Sequence, residues 1–375
     1  LTEALARELG PSLGAEELTR HLNRVYNALI AELHRFGGSV ISFSGDAITC
    51  WLDGDDGARA TACALAMQRA MAEFAGVTTS AGTTVSLGMK AAVATGSVRR
   101  FLVGDPAHCL LDAMAGDTLD RLAAAEHLAG TGDVVLDATA AASLADRLAV
   151  SAWSHDEETG ERYAVIAGLS GHVQETPWPA LPVDAIKPEQ VRGWLLPPVY
   201  QRLDSGQGEF LAELRPAVAL FLLFGGIDYD GDPAASEKLN TFVRGIEGIL
   251  SRYDASLLNL TIGDKGSYLY ATFGAPIAHE DDAARAASAA LELRTLGASL
   301  EFLAPLRIGL AAGRMRTGAY GSRSRRTYSA LGDAVNLSAR LMSAAGPREI
   351  LVSAQVRAVA GDAFVWEDLP PIQVK

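Results

Sequence analysis

Apolar positions recur at helical spacing over residues 16–35, 58–74 and 119–129, which predicts three amphipathic helices in the first half of the chain. Between them, 39–51 reads as a hairpin around Ser44-Gly45-Asp46, and 84–94, 133–136 and 162–166 read as strands. The second half opens with a continuous apolar strand at 217–224. Helix 234–253, hairpin 256–273, helix 282–295, strands 306–311 and 327–331, and helix 334–345 follow. This order predicts an α+β fold, a ferredoxin-like βαββαβ core with an added helix and strands. From 168 to 214 prolines gather at 177, 179, 182, 188, 197 and 198, beside Trp178 and Trp194. That segment predicts a linker packed along the protein, because it carries its own large apolar residues. The expected division is a first domain at 1–168, a linker at 169–214 and a second domain at 215–375.

The two halves repeat one another. LNRVYNALIAELHRFGGSVISF from Leu22 is echoed by LNTFVRGIEGILSRYDASLLNL from Leu239. At the same offset Gly96 in KAAVATG meets Gly313 in IGLAAG. With the offset one residue shorter, GDTLDRLAAAE from Gly116 meets GDAVNLSARLM from Gly332, and DVVLD at Asp133 meets EILVS at Glu349. A unit this long is a domain rather than a solenoid repeat, so two homologous domains in tandem are expected, packed as a pseudo-twofold heterodimer within one chain.

Composition narrows the function classes. Hydrophobic residues make up 49% of the chain and charged residues 21%, which is the balance of an ordered globular protein. A net charge of −13 argues against a nucleic-acid binder, and no apolar run is long enough to span a membrane. Cys50, Cys63 and Cys109 lack metal-ligand spacing and read as buried thiols of a reducing compartment, so a cytoplasmic location is expected. Both ends look cut from something larger, and further domains of a parent chain are expected.

The most informative stretch is TYSALGDAVNLSARLM, residues 327–342. A strand runs into Gly-Asp, and the helix that follows sets Asn336 and Arg340 one turn apart on one face. An amide and a guanidinium so spaced can hold a ribose oxygen and a phosphate together. The run resembles the class III nucleotidyl cyclases, in which Gly-Asp-x-Val-Asn-x-x-x-Arg carries those two groups. DKGSYLYATFG and ELRPAVALF extend the likeness, and within the family the pattern is nearest the mammalian soluble adenylyl cyclases.

The resemblance implies a specific activity. The ribose 3′-hydroxyl of ATP attacks the α-phosphate, with two Mg²⁺ or Mn²⁺ ions holding attacker and leaving pyrophosphate in line. Family members take the ions on two aspartates of one domain. One corresponds to Asp46 in FSGDAI; the other belongs to a strand expected just upstream of Leu1. In the second half VALFLLFGG has Phe and Gly where an aspartate would stand, while the first half has Asp120 and Ala124 where the second has Asn336 and Arg340. One complete active site is therefore expected, shared between the domains of a monomer.

By the resemblance, the base-reading positions fall at Asn259 and Ser329, where adenylyl cyclases carry Lys and either Asp or Thr. Both side chains can donate and accept, so they leave the purine open; the resemblance to adenylyl enzymes implies ATP as substrate, with GTP as the alternative. Lys265, Arg325 and Arg326 are candidate phosphate contacts. Ser42 and Ala123 stand where soluble relatives bind bicarbonate, so bicarbonate control by those positions is not expected. A nucleotide-sensing pseudo-cyclase within a larger signalling protein is the alternative function.

Overall fold

The structure is a computed structural model and describes residues 2–80, 82–157, 159–208, 212–263 and 266–371. The chain forms two compact units. Unit 1 comprises residues 1–99, 114–181 and 320–327; unit 2 comprises 100–113, 182–319 and 328–375.

The first half begins with α1 (Thr2–Arg35), which is broken at Gly10, where φ is 77° and ψ 166°. The hairpin β1 (Ser39–Ser44) and β2 (Ala47–Trp51) and helix α2 (Ala58–Ala70) follow. Then come the short β3 (Val77–Thr78) and β4 (Thr84–Val85), β5 (Ala91–Val93), and the hairpin β6 (Arg99–Val103) and β7 (Leu111–Ala115). α3 (Asp117–Leu128), β8 (Val134–Leu136), α4 (Ala138–Ser143), β9 (Leu148–His155) and β10 (Arg162–Leu169) complete this half. The α1 face carrying Tyr26, Leu29, Ile30 and Leu33 is buried with Met67, Met71 and Phe74, so this amphipathic stripe closes the core of unit 1. β5, β8, β10 and β9 form a four-stranded sheet, while among the described residues β1 pairs with β2 alone. Among the described residues, no strand of the first half bridges β2 to β5.

The linker carries α5 (Pro188–Arg192) and α6 (Pro197–Asp204). Its start is bound into unit 1, where Trp178 Nε1 donates to the Gly38 carbonyl at 2.8 Å and Val173 packs on the core. Its end lies in unit 2, with the Leu110 N–H donating to the Gly193 carbonyl at 2.7 Å and Val199 buried.

The second half runs β11 (Glu213–Phe224), α7 (Ala235–Arg252), β12 (Ser256–Thr261), β13 (Ser267–Phe273), α8 (Asp282–Ser299) and β14 (Arg307–Gly321). β15 (Arg326–Leu331), α9 (Asp333–Ala344), β16 (Ile350–Val352) and α10 (Ala354–Ala360) follow. The sheet order is β12-β13-β11-β14-β15, with β16 parallel to β14. Its first four strands have the ferredoxin-like order expected from the apolar pattern. β11 is buried continuously from Ala217 to Leu222 and again at Phe224, because both its faces are covered there. Phe224 meets Phe242 of α7 at 4.8 Å, and the alternate residues Ala217, Ala219 and Phe221 join the core built with α9.

The sequence repeat reappears as matching local structure. Ala91, Ala92 and Val93 of β5 pair in parallel with Val134, Val135 and Leu136 of β8. At the repeat offsets, Ile308, Gly309 and Leu310 of β14 pair in parallel with Ile350, Leu351 and Val352 of β16. Asp137 caps α4 by accepting from the Ala140 N–H, and Ser353 caps α10 by accepting from the Val356 N–H.

Candidate functional site

The candidate site of unit 2 is built on α9, whose two faces have opposite fates. Ala334, Ser338, Leu341 and Met342 are buried against the sheet, while Asn336 and Arg340 are exposed. The Ser338 hydroxyl lies 3.0 Å from the Ala219 carbonyl of β11 and 2.9 Å from the Gly309 carbonyl of β14, and it donates to this pair. That bond satisfies a fully buried polar group and ties the middle of α9 to two strands. Gly309 makes the approach possible: a Cβ there would fall 2.2 Å from the Ser338 carbonyl oxygen and 2.4 Å from the Met342 nitrogen.

On the solvent face, the side chains of Asn336 and Arg340 have no hydrogen bond or ion pair among the described residues. The protein therefore spends neither the amide nor the guanidinium on its own structure. Rigid backing with uncommitted polar ends is the arrangement expected of ligand-binding side chains.

The two proposed base-reading positions lie on strands of the same sheet. Ser329 is half-buried in β15, three residues before the Gly332 that opens α9. Asn259 is half-buried in β12, opposite Tyr270 and just after a bulge, and its Nδ2 donates to Thr261 Oγ1 at 3.2 Å. Tyr270 stacks on Phe221 with ring centroids 4.6 Å apart, and its hydroxyl donates to the Ala330 carbonyl at 3.2 Å. Tyr270 thus links the β12–β13 hairpin to the strand that leads into α9. Burial pushes the neighbouring Tyr328 phenol above its ordinary pKa, so it stays a neutral donor. Neither Tyr270 nor Ser338 stood out in the sequence, although Ser338 lies inside the run that did. Asp264 and Lys265 lie outside the described residues.

In unit 1, Asp46 is exposed in the two-residue turn between β1 and β2. Gly45 precedes it with φ 62°, a left-handed conformation that suits glycine. Tyr26 braces the turn by donating to the Gly45 carbonyl at 2.8 Å and by meeting Phe43 edge-on at 5.3 Å. Burial, with the Asp46 charge close by, pushes the Tyr26 phenol up. Among the described residues, no three carboxylate, histidine or cysteine groups gather as a metal cluster. Asp46 alone still fits a divalent ion held jointly with nucleotide phosphates, since Mg²⁺ takes one or two carboxylates plus phosphate oxygens.

Arg325 and Arg326 also belong to unit 1 and are exposed, Arg325 at the end of a bend and Arg326 as the first residue of β15. Arg326 Nε donates to the Ser322 carbonyl at 3.0 Å, and Arg325 Nη1 to the Arg326 carbonyl at 3.2 Å. In the first-half counterpart of α9, Arg121 is committed to structure. It bonds the fully buried Asp137 at 2.9 Å, the Thr95 carbonyl at 3.1 Å, and Asp117.

Residues 233–375 match the adenylate and guanylate cyclase catalytic domain. The chain is 21% identical over 376 residues to the human protein adenylate cyclase type 10, an alignment covering 91% of this chain and 23% of that relative. The chain thus spans about a quarter of the length of that relative. Among solved structures, the adenylyl cyclase CyaB from P. aeruginosa is 23% identical, with a TM-score of 0.40, over 44% of this chain and 89% of the other. The guanylate cyclase domain of RhGC from Catenaria anguillulae, in complex with GTP, is 23% identical, with a TM-score of 0.36, over 40% of this chain and 84% of that one.

Proposed function

From an adenylate and guanylate cyclase catalytic domain in residues 233–375, we propose that the protein is a nucleotidyl cyclase that converts ATP to 3′,5′-cyclic AMP and pyrophosphate. The 3′-oxygen forms a bond to the α-phosphorus, the bond from that phosphorus to the bridging oxygen breaks, and pyrophosphate leaves. The proton of the 3′-hydroxyl passes to solvent. The observation that carries this reading is the pair Asn336 and Arg340, exposed, uncommitted and one turn apart on a helix fastened to the sheet.

Asn336 is assigned to the ribose, where its amide orients the attacking hydroxyl. Arg340 is assigned to the α-phosphate, where a guanidinium opposes the charge that grows on the equatorial oxygens. Asp46 is the proposed metal carboxylate; Mg²⁺ or Mn²⁺ bound there would neutralise polyphosphate charge. Asp46 comes from the first half of the sequence and Asn336 and Arg340 from the second, so residues of both halves are assigned to turnover. Asn259 and Ser329 are assigned to the purine, and Lys265, Arg325 and Arg326 to the phosphates. ATP is preferred over GTP on the strength of the similarity to adenylate cyclase type 10.

The test is product formation by the full-length protein given ATP or GTP with Mn²⁺. Cyclic AMP that disappears in Arg340→Ala supports the assignment. Nucleotide binding without cyclic product in the intact protein overturns it in favour of a nucleotide-sensing role.

A further inference from the structure

The repeat builds one kind of clasp twice, once from neutral side chains and once around a carboxyl group. In unit 1 the turn at Gly321 is held by α1: the Gly321 N–H donates to Asn23 Oδ1 at 3.0 Å and the Arg323 N–H to Asn27 Oδ1 at 2.8 Å. In unit 2 the turn between β6 and β7 is held by α7. There the Gly104 N–H donates to Asn240 Oδ1 at 3.0 Å and the Asp105 N–H to Glu247 Oε2 at 2.7 Å. Gly104 and Gly321, Asn23 and Asn240, and Asn27 and Arg244 are related by the offset that relates Leu22 to Leu239. The same offset matches Glu247 to Ile30, an apolar residue buried completely in unit 1.

Glu247 is therefore a carboxyl group at a position where the twin clasp needs none. It is 3% exposed, and its Oε1 has no hydrogen-bond partner among the described residues. A Cβ on Gly104 would fall 2.9 Å from that oxygen and 2.7 Å from the Cys109 carbonyl, so the turn rests directly on the carboxyl. The ionisable groups that act on it are Asp105 and Cys109 of the turn and Arg244 of α7, and His108 acts in turn on Asp105. Asp105 is held ionised by the Ala107 N–H and by Arg244, whose guanidinium lies 2.6 Å from it. Burial pushes the Cys109 thiol up to about 12, so it stays neutral.

We propose that the Glu247 clasp is a proton-controlled latch on the β6–β7 hairpin, tight while Glu247 is protonated and looser once it ionises, whereas the Asn23 and Asn27 clasp ignores pH. Burial raises the Glu247 carboxyl from 4.5 to about 7, and the Asp105 charge adds to this against the pull of the Asp105 N–H and Arg244. The seated hairpin thus retains a proton that the released one has lost. Seating is strongest at low pH, weakens as pH rises from 4.5 to about 7, and levels off above that.

The test is hydrogen exchange of the full-length protein, read in peptides spanning the turns at Gly104 and Gly321 and corrected for intrinsic exchange. Protection at Gly104 and Asp105 should fall by up to about tenfold per pH unit between pH 5 and 7, while protection at Gly321 and Arg323 stays flat. Glu247→Gln keeps an acceptor for the Asp105 N–H and should remove the slope. The same pH course at both turns of the unaltered protein would overturn the latch without recourse to any variant. A slope that persists in a folded Glu247→Gln protein would overturn it as well.

Discussion

Replacing Gly309 with Ala should separate the fold from the proposed chemistry, because it acts on the seat of α9 and touches neither Asn336 nor Arg340. The added Cβ would stand 2.2 Å from the Ser338 carbonyl oxygen and 2.4 Å from the Met342 nitrogen, whereas ordinary contact begins at 3.4 Å. Both atoms are backbone, so no rotamer change relieves the clash and α9 must lift. A displacement of roughly 1 Å is enough to cost on the order of 10²-fold in rate when it moves a catalytic group. Overpacking adds a destabilisation of about 1–3 kcal/mol. Stretching the Ser338 hydroxyl away from the Ala219 and Gly309 carbonyls costs about 1 kcal/mol more. The assay pairs a thermal melt with initial rates of cyclic-nucleotide formation, measured well below the melting transition. The expected outcome is a lower midpoint together with a rate loss far larger than the unfolded fraction explains. A Gly309→Ala protein with an unchanged midpoint and rate would show that Gly309 and Ser338 do not position the site.

Gly248→Ala is the matched control: a Cβ there meets nothing within 4 Å, so the helix should gain about 0.4–1 kcal/mol with activity intact; a loss of stability would contradict the open space seen on α7. Arg340→Ala should lower the rate by about 10²–10³-fold and nucleotide affinity much less, as for a group acting at the transition state; equal losses in steady-state rate and direct binding would assign Arg340 to ground-state binding. Asn259→Lys should move the ATP-to-GTP preference by roughly tenfold, the worth of one buried hydrogen-bonding mismatch. A ratio that responds instead to Lys265→Ala would reassign base reading to Lys265. Arg121→Ala leaves the Asp137 carboxylate fully buried without its guanidinium, so denaturant unfolding should report a loss of about 3–5 kcal/mol. A loss below about 1 kcal/mol would mean that water or another group replaces the arginine.

The elements legible in the sequence are those whose apolar periodicity is local. α7, expected at 234–253, spans Ala235–Arg252, and the 256–273 hairpin resolves into β12 and β13. β14 was expected at 306–311 but runs to Gly321. Its second stretch, GRMRTGAYG, has no clean alternation; it is held extended by Glu213–Ala217 of β11, which pair with Gly313–Thr317. The β6–β7 hairpin escaped for a similar reason, since its turn is fastened by side chains of a helix far along the chain. β9 is exposed almost throughout and gains its order by pairing with β10, so it carries no apolar signature. At the candidate site, Asn336 and Arg340 were legible because an i, i+4 pair needs only the helix to be right. Ser338, Gly309 and Tyr270 were not, since their importance comes from contacts between distant strands. Glu247 lay in plain view: the repeat sets it against Ile30, and only the neighbourhood of Asp105 gives that mismatch a meaning.

The most direct test of cyclase activity is the fate of ATP labelled at the α-phosphate when the full-length protein is supplied with Mn²⁺, alongside Asp46→Ala and Arg340→Ala proteins of unchanged melting behaviour. Labelled cyclic AMP is expected from the unaltered protein, with a loss of at least about 10²-fold in each variant. Equal product from all three proteins, or no cyclic product from an unaltered protein that binds ATP, would contradict that expectation.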